Sequence, residues 1–306
     1  MRTFALGLLG VCALSASLQA SPPASYEFAP EDALFARRGE SPEAAALATK
    51  AYQNALGQTV GEDKIYAAVQ IGRLALLQGV IYEEKTPVEV RRKILESCID
   101  SIDTIKGNRQ EYYYFYLSCV GARGKIASNL IDKFIYARKM SNIQTAALKS
   151  TQDANGAYIG GFEAGGILRV MAAVRGNQQA RAVGLYNPEE ALQFANAAMA
   201  STGGYYAPFK EFISGQTYWD NYFYVGQAMA SLAIEKEDKN LILQARQKML
   251  STLSVIQDLE DEGTLSTERQ PEVSYYRTLM QRLINDSTNC VNQSAWVACL
   301  KKAMEG

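Results

Sequence analysis

Histidine is missing from all 306 residues. Its absence removes Ser-His-Asp and Cys-His catalysis and every histidine-containing metal site. A phosphate loop is missing too, because Gly160-Gly161 and Gly165-Gly166 follow no strand and precede no Gly-Lys-Ser/Thr. The carboxylates form no recognisable catalytic pair. Asp261-Glu262 lies in a charged connector, and Glu83-Glu84-Lys85 reads as a helix end. Beyond the first twenty residues no apolar run is long enough to span a bilayer. No stretch sustains strand alternation. A formal net charge of −1 with no basic block gives no electrostatic footprint for nucleic acid or an acidic membrane. The expectation is a protein without catalytic residues, cofactor or metal.

What is present begins with a leader. Arg2 supplies a positive end, Phe4 to Ala13 a short apolar core, and Leu18-Gln19-Ala20 a cleavage site before Ser21. Residues 1–20 therefore read as a signal peptide cleaved after Ala20, with the mature chain exported to the periplasm or an equivalent compartment. The bulky Val11 before Cys12 argues against a lipid anchor. Residues 21–30, rich in Pro and Ser, read as a flexible lead-in. From Glu31 to residue 306 we expect a single helical domain, with a helical tail from about residue 271. A hydrophobic share of 48% suits a globular chain with a sizeable core.

Cleavage leaves four cysteines, an even number in an oxidising compartment. Cys98 and Cys119 lie almost symmetrically about the turn Lys106-Gly107-Asn108-Arg109, so an antiparallel helix pair can bridge them. Cys290 and Cys299 then close a small C-terminal loop. Buried free thiols are the alternative.

Helical patterning is strong. Asn187 can cap a helix with Pro188 at its first position and Glu190 three residues past the cap. Within that helix Ala191, Ala195, Ala198 and Met199 share one face, a small-residue stripe that lets a neighbour approach closely. Ser41-Pro42-Glu43 repeats the start signal, and Ala48, Tyr52, Ala55 and Leu56 repeat the stripe. Mid-helix glycines recur as Ile71-Gly72, Val120-Gly121 and Val225-Gly226. Each costs about 1 kcal/mol relative to alanine, so close helix contact is expected there. Tyr222, Val225, Gly226 and Met229 follow the first-helix spacing of a tetratricopeptide repeat with substitutions, although the period is irregular. Further helices are predicted at 87–105, 110–127, 130–149, 154–175, 216–236, 239–258, 272–284 and 293–304. The fold expected is all-α, built from degenerate tetratricopeptide-like hairpins that can enclose a central cavity. An irregular helical bundle is the alternative.

Tyrosine is the unusual resource, with 18 copies. Tyr112-Tyr113-Tyr114-Phe115-Tyr116 and Tyr218-Trp219-Asp220-Asn221-Tyr222-Phe223-Tyr224 put rings on every side of their helices. Such rings line binding surfaces or simply pack between helices. Arg169 intrudes into the apolar run from Gly165 to Met171, where a charge needs a partner or a ligand. Glu163 or another helix's carboxylate is one answer, and an anionic ligand is the other. Arg169, Trp219, Tyr222, Tyr113 and Tyr158 are the candidate ligand contacts.

Gly165-Gly166-x-x-Arg169, then Asn187-Pro188-Glu189-Glu190-Ala191, then the aromatic helix ending in Val225-Gly226, resembles the T-component proteins associated with tripartite ATP-independent periplasmic (TRAP) transporters. Leu34-Phe35-Ala36-Arg37-Arg38, followed by Ser41-Pro42-Glu43 and Ala48 to Leu56, looks like that family's opening segment, so the similarity covers roughly residues 30–260. The resemblance implies cryptic tetratricopeptide-like hairpins around a cavity or pore, a periplasmic location and contact with a solute-binding protein. It also implies delivery of a small, hydrophobic ligand without catalysis. The four cysteines and the segment after Pro271 depart from the family pattern. The alternative is an envelope assembly or scaffolding protein that presents a tetratricopeptide-like surface to a protein partner. Self-association is left open by either.

Overall fold

The computed structural model describes residues 25–159, 161–201, 204–206, 211–213, 219–263 and 270–305. The leader and its cleavage site lie outside them. The chain is all-α, with the helices joined into packed hairpins. In order they are α1 (Ala29–Ala36), α2 (Pro42–Leu56), α3 (Gly61–Leu76), α4 (Val88–Asp103), α5 (Gln110–Lys125), α6 (Leu130–Lys149), α7 (Phe162–Arg175), α8 (Pro188–Met199), α9 (Trp219–Lys236), α10 (Lys239–Asp261), α11 (Gln270–Val291) and α12 (Trp296–Glu305). A π turn, Leu77–Ile81, extends α3, and the Tyr82 amide closes it on the Leu77 carbonyl at 2.8 Å. A 3-10 turn (Gln178–Val183) precedes α8. Two three-residue strands, β1 (Gly204–Tyr206) and β2 (Glu211–Ile213), form a small antiparallel hairpin between α8 and α9.

Each helix from α2 to α6, and from α7 to α12, packs on the next. Beyond these neighbours, α3 meets α5, α5 meets α7, α7 meets α9, and α9 meets α11. The odd-numbered helices thus form a continuous inner wall, while α4, α6, α8 and α10 back it from outside. Small residues make this spacing work. Ala191, Ala195 and Ala198 are fully buried on the face of α8, as are Ala48, Tyr52 and Ala55 on α2. A methyl group at Gly72 would stand 2.5 Å from the Phe115 ring, and one at Gly226 would overlap the end of Met249. Those glycines are there because another helix's side chain occupies the space a Cβ would need.

Local signals set several boundaries. The Ser41 hydroxyl accepts the Ala44 amide at 3.1 Å and the Asn187 side chain accepts the Glu190 amide at 3.2 Å. Each such cap is worth about 1 kcal/mol. Asn129 and Asp238 cap α6 and α10 in the same way. One expected helix is corrected: 154–175 does not begin until Phe162. Residues 152–158 form a loop closed by a bridge between Gln152 and Tyr158. The helix predicted at 272–284 runs longer, over the whole of α11.

Both cysteine pairs are bonded. Cys98–Cys119 joins α4 to α5 across a separation of 21 residues, with both side chains fully buried. Closing a loop of that length restricts the unfolded chain by an amount worth about 3 kcal/mol. Cys290–Cys299 ties α11 to α12. Among the described residues no helix is long and apolar enough to cross a membrane.

Candidate functional site

The inner wall lines a half-open cavity of about 250 Å³ bounded by α3, the π turn, α5, α7, α9 and α11. Its apolar surface comes from Leu76, Val80, Val170, Phe223 and Leu279, and its rings from Tyr114, Tyr224, Tyr275 and Tyr276. A neighbouring cleft of about 340 Å³ between the π turn and α11 shares Ile81, Glu83, Tyr275 and Leu279 with it.

Arg169 reaches this cavity from the second turn of α7 and is 4% exposed. Its Nε lies 3.1 Å from the Asp220 carboxylate. One terminal nitrogen donates to the Asn221 side-chain oxygen at 2.9 Å and to the Glu163 carbonyl at 3.1 Å. The guanidinium also stands 5.9 Å from the centre of the Tyr114 ring, at the outer limit of a cation–π contact. Of the two partners expected from the sequence, the carboxylate is Asp220 on α9. The Glu163 carboxylate turns away to Arg73 on α3, at 2.6 Å.

The start of α7 makes this geometry possible and is strained. Glu163, Ala164 and Gly165 have φ values of 53°, 51° and 82°, a left-handed turn ahead of a right-handed helix. For the two residues with a Cβ this costs about 1–2 kcal/mol each. Contacts from four other parts of the chain hold the turn. Besides Arg73, Gln110 on α5 accepts the Phe162 amide at 2.7 Å. Asn221 on α9 donates to the Ala164 carbonyl at 3.1 Å and to the Ala198 carbonyl at 3.3 Å. A methyl at Gly165 would stand 2.9 Å from the Ala198 Cα, and one at Gly166 would stand 2.7 Å from the Tyr114 ring. The paired glycines of the motif are therefore contact points beneath Arg169, with no anion-binding role in view.

The opposite wall is aromatic. The Tyr224 and Tyr276 hydroxyls are 3.1 Å apart, and the Phe223 and Tyr276 rings meet edge to face at 5.4 Å. Burial pushes the Tyr276 hydroxyl well above its ordinary pKa and raises that of Tyr224. Burial also lifts Tyr114 to about 12, against the opposing pull of the Arg169 charge. These hydroxyls stay neutral at any physiological pH. At the rim Arg91 donates to the Gly79 carbonyl at 2.8 Å and pairs with Glu83 at 3.3 Å. Arg169 with Asp220, and Arg91 with Glu83, bring two ion pairs into the wall, and Lys125 adds a further positive charge to the lining. Among the described residues no cluster of three Cys, Asp or Glu side chains could hold a metal ion.

Of the five sequence candidates, Arg169 lies in the cavity. Tyr113 points away, its hydroxyl donating to Asn108 at 3.2 Å. Tyr158 packs on Phe194 with ring centres 5.8 Å apart, and Tyr222 lies under Lys248 at 4.8 Å. The Trp219 side chain lies outside the described part of the chain. Adjacent positions in the same aromatic stretches line the cavity instead: Tyr114 rather than Tyr113, and Phe223 and Tyr224 rather than Tyr222. A helix rotates by about 100° per residue, so choosing among consecutive rings requires knowing which face the helix turns inward. Tyr275 and Tyr276 carried a usable signal, a Tyr pair in the first turns of an apolar-periodic helix. Neither protein-family models nor curated proteins give a match to this chain.

Proposed function

We propose that the protein is a periplasmic, non-enzymatic accessory component of a solute transport system, which holds a small amphipathic ligand in its central cavity and passes it to a solute-binding partner. The observation that carries this reading is the cavity, walled by aromatic and aliphatic side chains and with Arg169 and Arg91 each ion-paired. Sites of this kind take ligands that bury an apolar body and satisfy a few directed hydrogen bonds. The Asp220 carboxylate offsets the Arg169 charge, so Arg169 favours an uncharged hydrogen-bonding head over a free carboxylate or phosphate.

Two further features support the assignment. The alternation of inner and outer helices is the arrangement a tetratricopeptide-like array would have, in keeping with the T-component resemblance. The two disulfides suit an exported chain. The test is native mass spectrometry of protein purified from its own envelope, followed by denaturation and identification of released molecules. A stoichiometric apolar or amphipathic molecule is expected, and Ala173→Phe, which fills the cavity from α7 without altering charge, should abolish its retention. An empty wild-type protein, or retention unaffected by Ala173→Phe, would remove the cavity from the account.

A further inference from the structure

The whole-chain charge of −1 conceals a local asymmetry. Between residues 112 and 152 there are six basic residues (Arg123, Lys125, Lys133, Arg138, Lys139 and Lys149) and one acidic residue, Asp132. Asp132 is already committed. It pairs at 3.1 Å with Arg123, which is itself buried and also bound to Glu96 at 2.9 Å. Of the cations left over, Lys125 and Lys133 line a cleft between α5, α6 and the 3-10 turn, while Arg138 and Lys149 are exposed along α6.

The same helix carries an apolar tip. Leu130, Ile131, Phe134 and Ile135 on the first turns of α6 are between 49% and 75% exposed. None of the four lines the central cavity, the cleft beside it or the cleft between α5 and α6. α6 rests chiefly on α5, and among the described residues no helix covers its far side. The hairpin topology brings further apolar surface to this end. Arg92 in the first turns of α4 donates to the Ile126 carbonyl at 2.7 Å, which places the start of α4 beside the start of α6. Val88 and Val90 are both exposed on that turn of α4. The nearby Glu89 is paired with Arg92, and Glu83 with Arg91.

We propose that this end of the molecule docks on an anionic lipid surface, with Leu130, Ile131, Phe134 and Ile135 entering the headgroup boundary and Arg138 and Lys149 contacting acidic headgroups. Apolar residues on the tip of a helix, flanked by cations along its length, suit an interface that is apolar below and negatively charged above. α6 extends about 30 Å, so the tip and the last lysine can engage a single surface together. This proposal is independent of the cavity and of any ligand.

Vesicle co-sedimentation tests it. The purified protein should sediment with vesicles of phosphatidylglycerol and phosphatidylcholine, far less with phosphatidylcholine alone, and less again at high salt. Arg138→Gln with Lys149→Gln should weaken binding roughly 25-fold, at about fivefold per charge near the surface. Ile131→Ser with Phe134→Ser should weaken it by about tenfold or more through lost apolar burial. Both pairs are exposed, so circular dichroism and melting should match the wild type. Failure of the wild-type protein to sediment with anionic vesicles would overturn the proposal. So would equal binding to neutral vesicles, or binding that neither double variant weakens. Self-association lost in the serine variant, without vesicle binding, would reassign the tip to a protein contact.

Discussion

Helices α7 and α8 are neighbours in sequence and pack against each other, yet they begin in opposite ways. α8 starts as its own residues dictate, with an Asn187 cap, Pro188 at the first position and acidic residues in the first turn. α7 starts through a left-handed turn that Glu163 and Ala164 would not adopt unaided. What holds the α7 start comes from α3, α5, α9 and the end of α8. The helix with the locally determined start supplies packing surface, whereas the helix with the imposed start supplies Arg169 to the cavity. Strain that survives only because the surroundings over-determine it is a recurring property of sites.

Substitutions can break this contrast. The largest effect is expected at Asp220→Ala, which leaves the Arg169 guanidinium buried beside a missing charge. Urea unfolding should show a loss of about 3–5 kcal/mol. Replacing both partners, as Arg169→Met with Asp220→Leu, should recover much of it, because a well-packed apolar pair removes the desolvation problem along with the charge. Gly165→Ala comes next. It forces a Cβ towards Ala198 at positive φ and should cost about 2–4 kcal/mol.

A matched pair sharpens the comparison. Ala195→Gly inside α8 should cost about 2 kcal/mol, combining lost helix propensity with a lost buried methyl. Ala164→Gly loses a similar methyl but relieves the left-handed strain, so its expected change is close to zero. Equal costs at the two sites would mean that the turn before α7 is not strained. Asn187→Ala should cost about 1 kcal/mol through loss of the cap alone.

The smallest effect at neutral pH is expected for Tyr114→Phe, and its signature is alkaline. The Tyr114 pKa is raised in the folded state, from the ordinary 10.0 to about 12. Its contribution is therefore complete below pH 10 and lost as the pH rises towards 12, where the unfolded chain ionises first. Melting temperature measured across that window should fall less steeply in the phenylalanine variant.

Much of the fold was legible because its causes are local. Caps at Ser41 and Asn187, the alanine stripes and the cysteine spacing about residues 106–109 each report a short-range constraint, and the structure contains all of them. The start of α7 was legible only in part. Asn155-Gly156 and Gly160-Gly161 are local turn signals against a helix over 154–161, whereas the left-handed turn at 163–165 is held by contacts from Arg73, Gln110 and Asn221, between 50 and 90 positions away. The site was half legible for a related reason. A charge within an apolar run identifies Arg169 whichever way its helix turns, but Tyr114 and Tyr224 differ from their aromatic neighbours only in direction. The basic, apolar-tipped face of α6 was hidden by averaging, since its excess of cations disappears in the net charge of the whole chain.

The π turn after α3 bears on how such a cavity changes over generations. A π turn carries one residue more than the α-helical register it interrupts. Here that extra residue frees the Gly79 carbonyl for Arg91 and presents Val80 and Ile81 to the cavity. Gly79 is held without a Cβ because Leu95 lies 2.9 Å from where one would be. Removing one residue from this segment would restore the ordinary repeat and rotate everything after it by about 100°. Both the aliphatic wall and the Glu83 rim would be displaced at once. The pocket's contents can thus be rewritten by gain or loss of a single codon, a far shorter path than accumulating substitutions along five helices.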